Sequence, residues 1–114
     1  MPTTQDVTLL LGDTWTLICT CHDANNNILA VDSAEWRIAS TQSLEYLGTV
    51  GTNNIFIANG GVVTVIVPPS DQATANIQPG SYTHELFITG NTAVGSIQVT
   101  GKAYVQDSLK HKYP

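Results

Sequence analysis

Apolar and polar residues alternate with a period of two along most of this chain. Gly, Asn and Pro interrupt the alternation about every eight to twelve residues, the spacing of short strands joined by turns. Thr14–His22 is the clearest case. Trp15, Leu17, Cys19 and Cys21 fall on one face and Thr14, Thr16, Thr20 and His22 on the other, with Ile18 breaking the rule. Asp6–Leu11 precedes it as a first strand, ended by Gly12-Asp13. Asp23–Asn27 is a turn, and Ile28–Val31 a short strand. Ala34–Ser40 sets Trp36 and Ile38 against Glu35 and Arg37, and Leu44–Val50 and Asn54–Ala58 read as edge or hairpin strands before a tight turn at Asn59-Gly60-Gly61.

Val62–Val67 is apolar on nearly both faces, which predicts a central, covered strand. Pro68-Pro69 ends it. Ser70 then has the chemistry to cap a helical turn over Asp71–Asn76, with Asp71 well placed in its first turn. Pro79-Gly80 turns the chain into Ser81–Thr89, where Tyr82, His84, Leu86 and Ile88 share a face. The last strand is Val94–Gln106, with Ile97, Val99, Ala103 and Val105 inward and Gln98, Thr100, Lys102 and Tyr104 outward. These elements predict an all-β, two-sheet antiparallel sandwich of roughly seven to eight strands, with one helical turn near residues 70–76. Residues 1–106 form the single domain and 107–114 a tail. Gly80-Ser81-Tyr82 resembles a tyrosine corner and Trp36 the central tryptophan of immunoglobulin-like domains, although His84 stands where a disulfide cysteine would be. Trp15, Cys19, Cys21, Trp36, Tyr82 and Leu86 are the expected core.

Composition changes this picture in one respect. Hydrophobic residues make up 42% of the chain, but charged residues only 11%, against about 25% in ordinary domains. Neutral polar residues must then cover the surface, and such a surface suits packing against a partner because few ions need desolvation. Tyr46–Ser70 contains no charged residue. Charge usually guards strand edges, so Leu44, Tyr46, Leu47 and Phe56 are expected contact residues, together with the outward Gln98, Thr100, Lys102 and Tyr104.

A net charge of −5 with four Lys and Arg in total argues against nucleic-acid binding. Three of those four, Lys102, Lys110 and Lys112, lie near the C-terminus and read as a solvated end. No apolar run approaches the ~20 residues of a membrane helix. Met1–Asp6 has neither the charged nor the apolar region of a signal peptide, which predicts a protein made and kept in a cytoplasm.

Candidate chemistry is sparse. Cys19 and Cys21 point the same way on a strand, too far apart at Cβ for a mutual disulfide, and read as small buried hydrophobes. A Cys-x-Cys-His metal site is disfavoured because His22 faces away. His84 and Glu85 are strand neighbours on opposite faces and cannot act on one atom. His84 reads as a core-edge histidine bonded to backbone. Asp13, Asp23 and Asp32 are the residue type of Ca²⁺ loops but sit in separate turns, where Asp more often caps backbone locally. No cofactor, metal or catalytic motif is expected. Tyr46, Tyr104 and Tyr113 offer the aromatic faces of a carbohydrate-binding module, a second class of function.

Four segments taken in order resemble a family: Gly12-Asp13-Thr14-Trp15, Ala34-Glu35-Trp36-Arg37-Ile38-Ala39, Gly60-Gly61-Val62-Val63-Thr64-Val65-Ile66-Val67-Pro68, and Pro79-Gly80-Ser81-Tyr82-Thr83-His84-Glu85-Leu86. The family is the small β-sandwich at the N-terminus of tailed-phage baseplate upper proteins and in related stand-alone phage and prophage proteins. The resemblance covers most of residues 7–106 and rests on turns and core positions. It implies a non-enzymatic virion component of the tail, baseplate or fibre, assembled in the bacterial cytoplasm with other virion proteins. A homo-oligomer, with a trimer favoured, follows as an expectation. A capsid-decorating role is the alternative within the same class.

Overall fold

The computed structural model of the chain describes residues 3–22, 25, 27–28, 30–41, 43–49, 54–58, 61–90 and 95–113. Period-two patterning forms the strands β1 (Thr3–Thr4), β2 (Val7–Leu10), β3 (Trp15–Thr20), β4 (Val31–Ala39), β5 (Leu44–Thr49), β6 (Ile55–Ala58), β7 (Val62–Val67), β8 (Gly80–Gly90) and β9 (Gly95–Gln106). Helix α1 (Pro69–Ala75) joins β7 to β8, and a last helical turn, α2, spans Leu109–Lys112.

The strands make a two-sheet sandwich. One sheet runs β1-β9-β8-β4-β5, with β2 also on β9, and the other runs β3-β7-β6. β3-β7-β6 facing β9-β8-β4-β5 is the strand order of an immunoglobulin-like domain. Antiparallel pairing is the rule, with one exception that the sequence pattern does not reveal: β1 and β2 run parallel to β9. The chain then crosses to the second sheet at Leu11–Thr14, where Gly12 takes φ 88°. That conformation carries a steric cost for residues with a Cβ.

The core lies between the sheets. Trp36, Ile38, Leu86, Ile88, Val99 and Val105 from the larger sheet meet Trp15, Val63, Val65 and Val67 from the smaller. Full burial of each such aliphatic side chain contributes about 1.5–3 kcal/mol. β7 is the middle strand of its sheet, and even its outward residues Val62, Thr64 and Ile66 are half-buried, as its two-sided apolar pattern predicts.

Several elements depart from the sequence expectation. β4 begins at Val31 and absorbs the short strand placed at Ile28–Val31, while Ile28 makes an isolated bridge to His22. Ser70 does not cap α1. Pro68 is the extended N-cap residue and Pro69 the first helical one, because proline's fixed φ suits a position with no N–H partner to lose. The helix ends at Asn76 in the left-handed conformation, φ 54°. The C-terminal tail carries α2, and the Ser108 hydroxyl donates to the Leu11 carbonyl. Most of the Asp23–Asn27 turn, and Asn59 and Gly60, lie outside the described residues.

The last departure changes which residues face outward. The β8–β9 register shifts between Leu86 and Phe87: Leu86 faces Val99, but Phe87 faces Ile97. Gln98 is therefore the extra residue of a β-bulge, and side chains on its far side exchange faces. Ile97, expected inward, is 38% exposed.

Candidate interaction site

Among the described residues, no group of three or more His, Cys, Asp or Glu converges to hold a metal ion. Asp13 caps its own turn, its Oδ1 accepting the Thr14 N–H at 2.9 Å. Asp23 lies outside the described residues, and Asp32 is exposed on β4. Arg37 and Glu35 pair with each other at 2.6 Å on the outer face of β4. No described helix is long and apolar enough to cross a membrane.

His84 is fully buried and held from both sides. Its Nδ1 accepts the Trp36 indole N–H at 3.2 Å, and its Nε2 lies 2.6 Å from the Gln5 carbonyl. That network assigns the Nε2–H tautomer, which donates to Gln5. Gly101 is the strand partner of His84. A Cβ there would lie 2.2 Å from the Gln5 carbonyl oxygen, so the missing side chain is what lets the β1–β2 connection lie close against β9. Gln5 N–H bonds Thr100 O at 2.9 Å, and Asp6 Oδ1 accepts the Lys102 N–H at 2.9 Å, which fastens that connection along β9. At the start of β8 the Tyr82 hydroxyl donates to Gln78 O at 2.5 Å, the tyrosine-corner contact.

Trp15, Cys21, Trp36 and Leu86 are buried, whereas Cys19 and Tyr82 are half-buried at the margin of the core. Both cysteines are free thiols. A hydrogen bond from the Cys21 thiol to Cys19 lowers Cys19 from 9.0 to about 7 against the opposing effect of burial. The same bond, with burial and the neighbouring thiolate charge, pushes Cys21 up.

Of the contact residues expected from sequence, those with described side chains lie on both sheets, Phe56 on β6 and Gln98, Thr100, Lys102 and Tyr104 on β9. The side chains of Leu44, Tyr46 and Leu47 lie outside the described ones. Phe56 is 50% exposed on β6. Thr100 is half-buried, and Lys102 and Tyr104 are exposed. They lie on an internal strand, since β9 has β8 on one side and β1 and β2 on the other. Gln98 is not an outward contact residue: the bulge turns its carboxamide onto the main chain of His22. Gln98 Oε1 accepts the His22 N–H and Nε2 donates to the His22 carbonyl, each at 3.0 Å. The side chain thus joins β9 to the end of β3 in the opposite sheet.

β3 is the feature that sequence reasoning passed over. It pairs with β7 alone, so its other side is a strand edge. No residue from Trp15 to Thr20 is charged, and Ile18 is 65% exposed. Beside this edge, between β2 and β3, a cleft of about 230 Å³ opens onto Leu9, Leu17, Trp15 and Trp36. β6 likewise pairs with β7 alone among the described residues, and Ile55–Ala58 is uncharged. The available signal was the single break in the Thr14–His22 alternation, an isoleucine on the polar face.

Comparison of the chain with family models gives no match, and comparison with curated proteins gives none.

Proposed function

We propose that this protein is a non-enzymatic structural subunit of a tailed-phage or prophage virion, an assembly or attachment module that works through strand edges and neutral surfaces. The observation that carries the assembly part is the smaller sheet, β3-β7-β6, whose two outer strands are both uncharged. Soluble domains ordinarily blunt such edges with charge, proline or a covering element. An edge left neutral is suited to a neighbour.

The virion part draws its support from the resembling segments, which occupy fold-determining positions here. Gly12-Asp13-Thr14-Trp15 makes the sheet-crossing corner, Gly61 takes φ 74° before β7, and Pro79-Gly80-Ser81-Tyr82 leads into the tyrosine corner. The test is mass spectrometry of purified particles from a host that carries the gene, followed by separation of tails from capsids. Recovery of the chain in stoichiometric amount with tails supports the tail or baseplate reading, and recovery with capsids the decoration reading. Absence from particles while the protein is abundant in the lysate overturns the proposal.

A further inference from the structure

The open edge of β3 has a defined length and a centre. Cys21 N–H bonds Gly61 O at 2.9 Å on the β7 side. In an antiparallel ladder the hydrogen-bonding direction alternates along the strand. The main-chain groups of the odd-numbered residues Trp15, Leu17 and Cys19 therefore point at β7, with which they are in register. Those of Thr14, Thr16, Ile18, Thr20 and His22 point away from it. The two end positions are already occupied. Asp13 Oδ1 takes the Thr14 N–H, and the Gln98 carboxamide takes both the N–H and the carbonyl of His22. That carboxamide fills the place a peptide group of a neighbouring strand would fill. Thr16, Ile18 and Thr20 remain, with outward main-chain groups that meet no partner among the described residues.

We propose that β3 pairs antiparallel with β3 of a second copy of this chain about a two-fold axis at Ile18, joining two β3-β7-β6 sheets into one. The inference goes beyond the virion reading and does not depend on it. Its grounds are the symmetry of the open stretch. An axis at Ile18 sets Ile18 opposite Ile18 and Thr16 opposite Thr20 of the other copy. Each such pair exchanges two main-chain bonds, about six in all. The exposed side chains match as well, with a β-branched apolar pair at the centre flanked by two Thr–Thr pairs, both favourable cross-strand combinations. On the core-facing side, Leu17 comes opposite Cys19. Both are half-buried in the single chain, and pairing covers them. The stretch carries no charge to repel its own copy. The contact is isologous and closes at two.

The test combines light scattering across concentration with residue-resolved amide exchange, under reducing conditions. The expected result is twice the chain mass at high concentration. The amides of Thr16, Ile18 and Thr20 should gain at least tenfold protection on dimerisation, while those of Leu17 and Cys19 stay protected throughout. Ile18→Lys should give a monomer with an unchanged circular dichroism spectrum, since that side chain is mostly in solvent. Ile18→Val, which keeps the apolar pair, should still dimerise. A monomer at every concentration overturns the proposal. So does a dimer that survives Ile18→Lys with the three amides still exchanging fast, or an oligomer of odd number.

Discussion

His84 Nε2 meets the Gln5 carbonyl at 2.6 Å across 79 residues of sequence, and the same ring accepts the Trp36 indole N–H at 3.2 Å. One imidazole thereby ties the core tryptophan to the β1–β2 connection. In an immunoglobulin domain this neighbourhood is organised by a disulfide packed against the tryptophan. Here a donor and an acceptor on one ring do the joining, and both ring nitrogens are satisfied inside the core.

Replacing His84 by Phe keeps most of the volume but removes the acceptor for Trp36 Nε1 and the donor to Gln5 O. A buried polar group deprived of its partner costs about 1–3 kcal/mol, and two are affected. His84→Phe is expected to lower unfolding stability by about 2–4 kcal/mol, measured by urea denaturation. In a cycle with Trp36→Phe, the two changes should couple by about 1 kcal/mol. Additivity would show that the indole–imidazole contact contributes nothing.

Gly101→Ala tests the close approach of the β1–β2 connection to β9. The new methyl would sit 2.2 Å from Gln5 O and 2.6 Å from Gln5 C, and main chain cannot yield as a flexible side chain can. The expected result is release of residues 3–10 from β9, seen as protease cleavage in that segment and faster amide exchange of Lys102, whose N–H loses Asp6. A stability loss of about 2–3 kcal/mol accompanies it, in the range of overpacking. Unchanged cleavage would mean that this approach does not need the glycine.

Gln72 is 3% exposed on α1. Its Oε1 accepts the Gly12 N–H at 3.1 Å, and its Nε2 donates to Asp13 O at 2.5 Å and to Val67 O at 3.3 Å. One carboxamide thus fixes the sheet-crossing corner against the end of β7. Gln72→Leu, close in size, is expected to cost about 2–3 kcal/mol. Gln72→Glu should cost at least as much, because the carboxylate oxygen that takes the place of Nε2 faces two carbonyls that need a donor. Thermal unfolding of the two variants checks the order.

The strands were legible because burial on one face imposes a period of two, which β3 keeps at every position but Ile18 and β8 keeps in Tyr82, His84, Leu86 and Ile88, whereas β7 stood out as an apolar run on both faces. What escaped the sequence depends on contacts between distant residues. Nothing local marks β2 as parallel to β9, or Gly101 as the space that Gln5 occupies. The bulge at Gln98 was invisible for a related reason: a single inserted residue reverses faces, while Ile97, Gln98 and Val99 continue in sequence an alternation that the fold breaks there. Gln98 reads from sequence as an outward residue and Gln72 carries no sequence signal at all, since glutamine usually lies at the surface. Their role comes from unsatisfied main-chain groups at the Gly12 and His22 ends of β3, which only the folded sandwich brings near. Of the interaction site, the neutral stretch around β6 was readable from composition. The β3 edge was not, because whether a strand lies at an edge is a property of topology.

The paired thiols give a pH signature. Cys21 donates its S–H to Cys19, so Cys19 ionises near 7 while Cys21 keeps its proton well past the ordinary thiol range. Between pH 7 and 9 the folded chain has lost a proton that the unfolded chain still holds, so stability rises with pH. Above about 9, near the ordinary thiol range, the unfolded chain loses both protons and the folded chain keeps that of Cys21, so stability falls again. Denaturation midpoints should therefore pass through a maximum near pH 9, and Cys19→Ser should flatten the rise. Because the thiolate is the nucleophile, iodoacetamide should label Cys19 with a midpoint near pH 7 and leave buried Cys21 largely unmodified in the folded protein. Equal labelling of the two cysteines, or a Cys19 midpoint at the ordinary thiol value, would show that the hydrogen bond between them is not formed in solution.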